Sequence, residues 1–130
     1  MRQEPKENSI QRMKDAAEFL ESAEDNIAKG RFKSAVIDSG DSVIAANDAF
    51  TIFFIEEKAS GDHSEALIVH KKAGIKINEN QSLILKTLLD ERHLYGYRSV
   101  QTSKSVAKKD IAGAKKFVKW VREKIHNASQ

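Results

Sequence analysis

The densest group of chemically capable side chains is Asp90-Glu91-Arg92-His93-Leu94-Tyr95-Gly96-Tyr97-Arg98. Arg92 and Arg98 carry planar forks that match phosphate oxygens, Tyr95 and Tyr97 can stack or donate, and His93 can exchange a proton near neutral pH. At a helix end these residues fit an anion or nucleotide site. They also fit a structural role, in which the tyrosines plug a bundle end and Arg92 pairs with Asp90, Glu91 or an acid of the second helix. A second group, Asp41, Ser42, Asn47 and Asp48, places mediocre helix formers in mid-helix. Asp41, Asn47 and Asp48 are candidates to shape a polar ligand's cleft or a subunit contact, against the plainer reading that they face water.

Other patterns limit the chemistry. His63 and His70 lie seven apart, two turns of one helix, whereas a helical metal pair comes at three or four; no acid completes a triad, so no metal site is expected. Asp62 and His63 read as helix-start residues, and His126 suits the negative end of a helix dipole. There is no GxGxxG or GxxxxGK phosphate cradle and no Gly-x-Ser-x-Gly elbow, and no cofactor is expected. The chain has no cysteine, which excludes disulfides, a thiolate nucleophile and sulfur-ligated metal centres.

Charge is unevenly placed. Residues 101–130 hold eight Lys or Arg and two acids, a net of +6, while the rest of the chain nets −3. Lys104, Lys108, Lys115, Lys119 and Arg122 fall on one face of the last helix, a candidate nucleic-acid face whose phosphate contacts would release counterions. Such a stripe is also the ordinary solvated side of an amphipathic helix, and no aromatic residue interleaves with it to stack bases. The second helix is acidic, with Asp38, Asp41, Asp48, Glu56 and Glu57, and would complement the basic helix within one bundle or between two chains.

The elements that must position these residues are helical. Ile10, Met13, Ala16, Ala17, Leu20, Ala23 and Ile27 predict a first helix over 9–29, stopped at Gly30. Phe32, Val36, Ser39, Val43, Ala46, Phe50 and Phe53 predict a second over 31–58, with Gly40 costing about 1 kcal/mol unless a neighbour needs the close approach. Asp62-His63-Ser64-Glu65 has the form of a capping box and opens a short helix ending at Gly74. A fourth helix starts within 78–81 and is interrupted at Gly96; 97–102 reads as a loop, and Ser103 caps the last helix. The expected fold is an all-α antiparallel, up-and-down bundle of about five helices, with a flexible N-terminal segment over 1–8 and a single domain over 9–127. One hundred and thirty residues suit one domain. No apolar run is long enough to span a membrane, and the N-terminus lacks a signal-peptide pattern, so a cytoplasmic protein with no membrane contact is expected.

From Ser9 to His126 the chain resembles the HEPN-domain family. The resemblance is carried by Ala16-Ala17-Glu18-Phe19-Leu20, by Ile27-Ala28-Lys29-Gly30-Arg31-Phe32-Lys33-Ser34-Ala35-Val36 and by Ala45-Ala46-Asn47-Asp48-Ala49-Phe50. It continues through Asp62-His63-Ser64-Glu65-Ala66, Glu91-Arg92-His93-Leu94-Tyr95-Gly96-Tyr97 and Ala114-Lys115-Lys116-Phe117-Val118. It implies an antiparallel bundle of about five helices, commonly a homodimer and often partnered by a minimal nucleotidyltransferase, that binds nucleotides or acts as a metal-independent, toxin-type ribonuclease. The family's ribonucleases share an Arg-x4–6-His motif. Arg92 would supply the arginine, but positions 97, 98 and 99 are Tyr, Arg and Ser, and no other arginine has a histidine at that spacing. The expectation is therefore a non-catalytic nucleotide- or RNA-binding module, with no catalytic residue assigned. Arg92, His93, Tyr95, Tyr97 and Arg98 would engage the ligand; Asp41, Asn47 and Asp48 would shape the cleft or the dimer contact. The alternatives are a divergent ribonuclease using Arg92 with His93 or Tyr97, and an interaction subunit, antitoxin-like, for a nucleotidyltransferase.

Overall fold

Five helices account for most of the chain in a computed structural model, which describes residues 1–130: α1 Asn8–Ala28, α2 Phe32–Ile55, α3 His63–Gly74, α4 Ser82–Tyr97 and α5 Lys104–Ala128. The all-α bundle expected from the apolar spacing is the fold observed. No helix is long and apolar enough to cross a membrane.

The α1–α2 hairpin is closed by local chemistry. Gly30 adopts φ 76°, its N–H donates to Ile27 O, and Arg31 N–H reaches back to Asn26 O at 2.8 Å. That pair of bonds satisfies the last carbonyls of α1 and turns the chain back on itself. α2 becomes the central helix, packed against every other helix. Its burial follows: Val36, Val43, Ala46, Phe50 and Ile52 are closed to solvent, and so are Ser39, Ser42, Asn47 and Thr51. Around α2 the larger core gathers Leu85, Leu88 and Leu89 of α4 with Ala114, Phe117, Val118 and Val121 of α5. A smaller cluster near the other end joins Ala23, Ala35, Val36, Ala107 and Ile111.

Several boundaries differ from those the sequence predicts. α2 stops at Ile55, not Lys58, because Glu56 takes a left-handed conformation with φ 52°. The next two residues leave the helix and form a short strand. This strand, β2 (Glu57–Lys58), pairs antiparallel with β1 (Arg2–Gln3), Arg2 opposite Lys58, and Glu4 N–H adds a bond to Glu56 O at 3.0 Å. The segment expected as a flexible lead-in thus lies against the α2–α3 connection, a pairing too short to leave an alternating pattern. After α3 a single 3₁₀ turn, Ile75–Ile77, precedes Asn78, also left-handed at φ 55°. Gly96 does not interrupt α4, which runs on to Tyr97. One helical glycine costs only about 1 kcal/mol, less than the surrounding bonds hold.

The caps predicted at Asp62 and Ser103 both form, one with a change, while α4 begins at Ser82, just past the predicted 78–81. Asp62 Oδ1 accepts from Ser64 N–H at 2.8 Å and more weakly from Glu65 N–H at 3.5 Å, and Ser103 Oγ accepts from Val106 N–H at 3.2 Å. The reciprocal half of the capping box is absent. Glu65 instead accepts from Ser60 and pairs with the N-terminal amine, fastening the chain's first residue to α3.

Candidate functional site

Two adjoining cavities lie where α2, the 58–62 connection, the start of α3 and the end of α4 meet. The first, about 300 Å³, is lined by Arg2, Asn47, Asp48, Lys58 and Ser60 over apolar walls from Ile44, Ala66, Leu85 and Leu89. The second is a wider cleft of about 770 Å³ lined by Asp90, Arg92, His93, Tyr97 and Arg98. Ile44, Gly61, Asp62 and His63 belong to both and form the partition. Volumes in this range suit small-molecule sites.

Of the 90–98 cluster, Asp90, Arg92, His93, Tyr97 and Arg98 are brought together at the cleft, and Tyr95 is not. Arg92 faces the cleft but is tethered: its Nε donates to Asp41 Oδ1 at 2.6 Å. The close approach comes from Gly40, where an added Cβ would lie 2.5–2.7 Å from the Arg92 side-chain stem. This is the reason a glycine sits in mid-α2. Burial alone would lower the Arg92 pKa, but Asp41 and Tyr97 outweigh it and hold the guanidinium charged. Asp41 serves as this counter-ion and does not itself line either cavity. Tyr95 points away from the cleft and packs on Ala23, Ala35, Val36, Ala107 and Ile111, plugging the bundle end. Tyr97, two residues on, is 72% exposed and stacks on His93 with ring centroids 5.0 Å apart. Arg98 forms no salt bridge with the chain's own carboxylates.

His63 is the residue that sequence reasoning did not place here. As the first residue of α3 it meets His93 edge-on, centroids 5.6 Å apart, and its Nε2 is buried with no hydrogen-bond partner. Thirty residues separate the two histidines, so no local spacing signals the pairing. The nitrogen is sealed from solvent in the cleft wall, so it is an unmet polar group of the fold that a ligand reaches only if the ring turns.

The remaining polar residues are largely absorbed by the fold. Asn47 Oδ1 meets His70 Nδ1 at 2.8 Å, and Gln81 N–H donates to His70 Nε2 at 2.9 Å. Because Nε2 accepts, Nδ1 must carry the proton in the neutral ring. His70 lies among Phe50, Phe117 and Trp120, and burial pushes its pKa down to about 4. It latches the start of α4 to α2, and His63 and His70 have unrelated surroundings. Asp48 Oδ2 accepts from Arg12 Nε and Nη2 at 3.2 and 3.0 Å; burial raises its pKa, with Arg12 opposing.

The basic stripe is elsewhere. Lys104, Lys108, Lys115, Lys119 and Arg122 are all exposed on α5, opposite its buried seam, and none lines either cavity. Lys115 pairs with Glu24 of α1 and Lys119 approaches Glu123. The acids of α2 find partners off α5: Asp38 accepts from Ser22 and Asn26, Asp41 pairs with Arg92 and Asp48 with Arg12. Asp110 of α5, unremarked in the sequence, is buried with Oδ2 unpartnered. Burial, then Glu91, push its pKa up to about 7.

No family model matches the chain, and no curated protein is significantly similar to it.

Proposed function

We propose that this protein is a HEPN-like module that binds the phosphate of a nucleotide or RNA in the α4-end cleft without cleaving it. The observation that carries the reading is the convergence of Arg98, Arg92, His93 and Tyr97 on one open cleft, with the His63 ring as its far wall. Arg98 is the side chain best suited to take a phosphate, because its fork has no carboxylate partner in the chain. Arg92 brings positive charge but is half-committed to Asp41. Tyr97, exposed and stacked on His93, offers an aromatic face to a base or sugar. A homodimer, the arrangement expected of a HEPN-like chain, and a cytoplasmic setting belong to the same proposal.

One observation favours a second reading. Two imidazoles side by side, His63 and His93, could take and return a proton at a phosphodiester in the way a metal-independent ribonuclease requires. This pair would stand in for the histidine absent from the Arg-x4–6-His spacing.

Thermal unfolding with ATP, GTP or a short RNA, alongside an RNA-cleavage assay, tests both. A ligand that binds only the folded state at 100 times its Kd adds about 2.7 kcal/mol. Expected is a rise in Tm that Arg98→Ala abolishes while the RNA stays intact. Arg98→Ala is preferred to Arg92→Ala, since truncating Arg92 also breaks its contacts with α2. Unchanged melting curves would overturn the binding reading and point to a protein partner. Cleaved RNA, lost in His63→Ala and His93→Ala, would establish the second reading.

A further inference from the structure

The smaller cavity is not needed to bind a phosphate. Its chemistry is two-sided. On the floor, Asp48 is only 8% exposed and keeps one carboxylate oxygen occupied: Oδ2 holds the Arg12 guanidinium. Oδ1 has no donor within the chain and is not among the sealed polar atoms, and Asp48 is one of the residues lining the cavity. At the rim stand the cations of the ribbon, Arg2 and Lys58, placed opposite one another by the β1–β2 register. Glu4 shares both, at 3.1 and 3.9 Å, which leaves donors on each free to turn inward. Between floor and rim the walls are aliphatic, Ile44 and Leu89 among them.

A carboxylate acceptor and cationic donors lining one partly apolar cavity match one nucleobase better than the others. Guanine presents two adjacent donors, N1–H and the N2 amino group, on one edge, and the acceptors O6 and N7 on another. A carboxylate accepts from the first edge and Lys or Arg donates to the second. Adenine and cytosine set a ring-nitrogen acceptor beside their amino group, which a carboxylate repels. Uracil flanks its single N–H with two carbonyls. The cavity's volume of about 300 Å³ holds one base, and its partition with the arginine cleft is a single layer of side chains. His63 belongs to that layer, between the two cavities.

We propose that this cavity is a guanine subsite, with Asp48 Oδ1 accepting from N1–H and N2–H and the Arg2–Lys58 rim donating to O6 and N7, so that the ligand is a guanine nucleotide lying across the partition. The proposal rests on the phosphate reading of the neighbouring cleft. The base selects; the phosphate anchors. A hydrogen-bonded charged group of this kind discriminates by about 10- to 100-fold.

Titration calorimetry of the full chain with GMP, AMP, UMP, guanosine and ribose 5-phosphate separates the two ideas. Expected is GMP bound at least about 10-fold more tightly than AMP, UMP or ribose 5-phosphate, with Asp48→Asn erasing the preference but keeping ribose 5-phosphate binding. Should Asp48→Asn fail to fold, Ala66→Leu fills the cavity without touching the arginine cleft and is expected to do the same. Equal affinity for all three nucleotides and ribose 5-phosphate, unaffected by either variant, overturns the guanine subsite and leaves the phosphate reading intact. Guanosine binding as well as GMP, with ribose 5-phosphate inert, supports the subsite and overturns the phosphate reading. Binding of none overturns both.

Discussion

Replacing Gly40 with alanine tests the packing that sets Arg92 in place. In an ordinary helix interior the change gains about 1 kcal/mol, since glycine is the poorer helix former. Here the new Cβ would sit 2.5 Å from Arg92 Cβ, 2.7 Å from Cγ and 2.6 Å from Cδ. Carbons rest at about 3.5–4.0 Å, so α4 must withdraw by about 1 Å. The obstructing atoms begin at Cβ, which no rotamer change moves aside. Overpacking of this kind costs about 1–3 kcal/mol, so a net loss of up to about 2 kcal/mol is expected after the helix gain of about 1 kcal/mol is set against it. For a domain of this length that is a Tm lower by up to about 10 °C. The Arg92–Asp41 bond at 2.6 Å would not survive such a withdrawal, and Arg92 would swing into the cleft. Urea unfolding followed by far-ultraviolet dichroism, in a double-mutant cycle with Arg92→Gly, isolates the contact. Glycine is the right partner change because Arg92 Cβ is itself in the way. Gly40→Ala should cost stability beside Arg92 and gain it beside glycine, a coupling of about 1 kcal/mol or more. A stabilised Gly40→Ala, or the same effect in both backgrounds, would refute the reasoning.

Three more outcomes follow from which groups are buried and which are exposed. His70, its pKa lowered from 6.5 to about 4, leaves the unfolded chain binding the extra proton between those values, so its contribution to stability rises with pH by about 3 kcal/mol. Asp110, raised from 3.8 to about 7, does the reverse, its contribution present at low pH and lost as pH climbs towards 7. The two nearly cancel from pH 4 to 6.5. In urea midpoints at pH 4.5, 5.5 and 6.5, His70→Gln should therefore slope downwards with pH and Asp110→Asn upwards; slopes parallel to the parent chain would contradict both assignments. Tyr95→Ala should lose about 2 kcal/mol in chemical denaturation because its ring fills the bundle end, whereas Tyr97→Ala should stay within about 0.5 kcal/mol. Replacing Lys104, Lys108 and Arg122 together by glutamine should leave nucleotide affinity unchanged in the same calorimetry, since these exposed side chains lie outside both cavities.

Local order along this chain was determined by the sequence itself. The three- and four-residue apolar spacing, the glycine after Lys29, the Asp62 and Ser103 caps and the absence of membrane-length apolar runs each depend on neighbours within a turn or two. They therefore appear in the structure much as the residues imply. What the ends of elements did depended on distant partners: α2 stopped three residues early because 57–58 paired with 2–3, and α4 ran through Gly96 because packing and its own bonds outweighed one glycine. The site is where sequence reading reached its limit. The 90–98 cluster was visible as composition, but its division into Tyr95 packed on the smaller cluster and Tyr97 in solvent follows from how α4 is seated in the bundle. That Arg92 would pair with an acid of the second helix was one reading open to the sequence, but the choice of Asp41, 51 residues away, and the meeting of His63 with His93 across 30 are encoded in no local spacing. Helix formation is decided by contacts near in sequence. Which faces of two helices meet is decided by how side chains of different size interlock across the bundle, as Gly40 under Arg92 illustrates, and that only the tertiary structure decided.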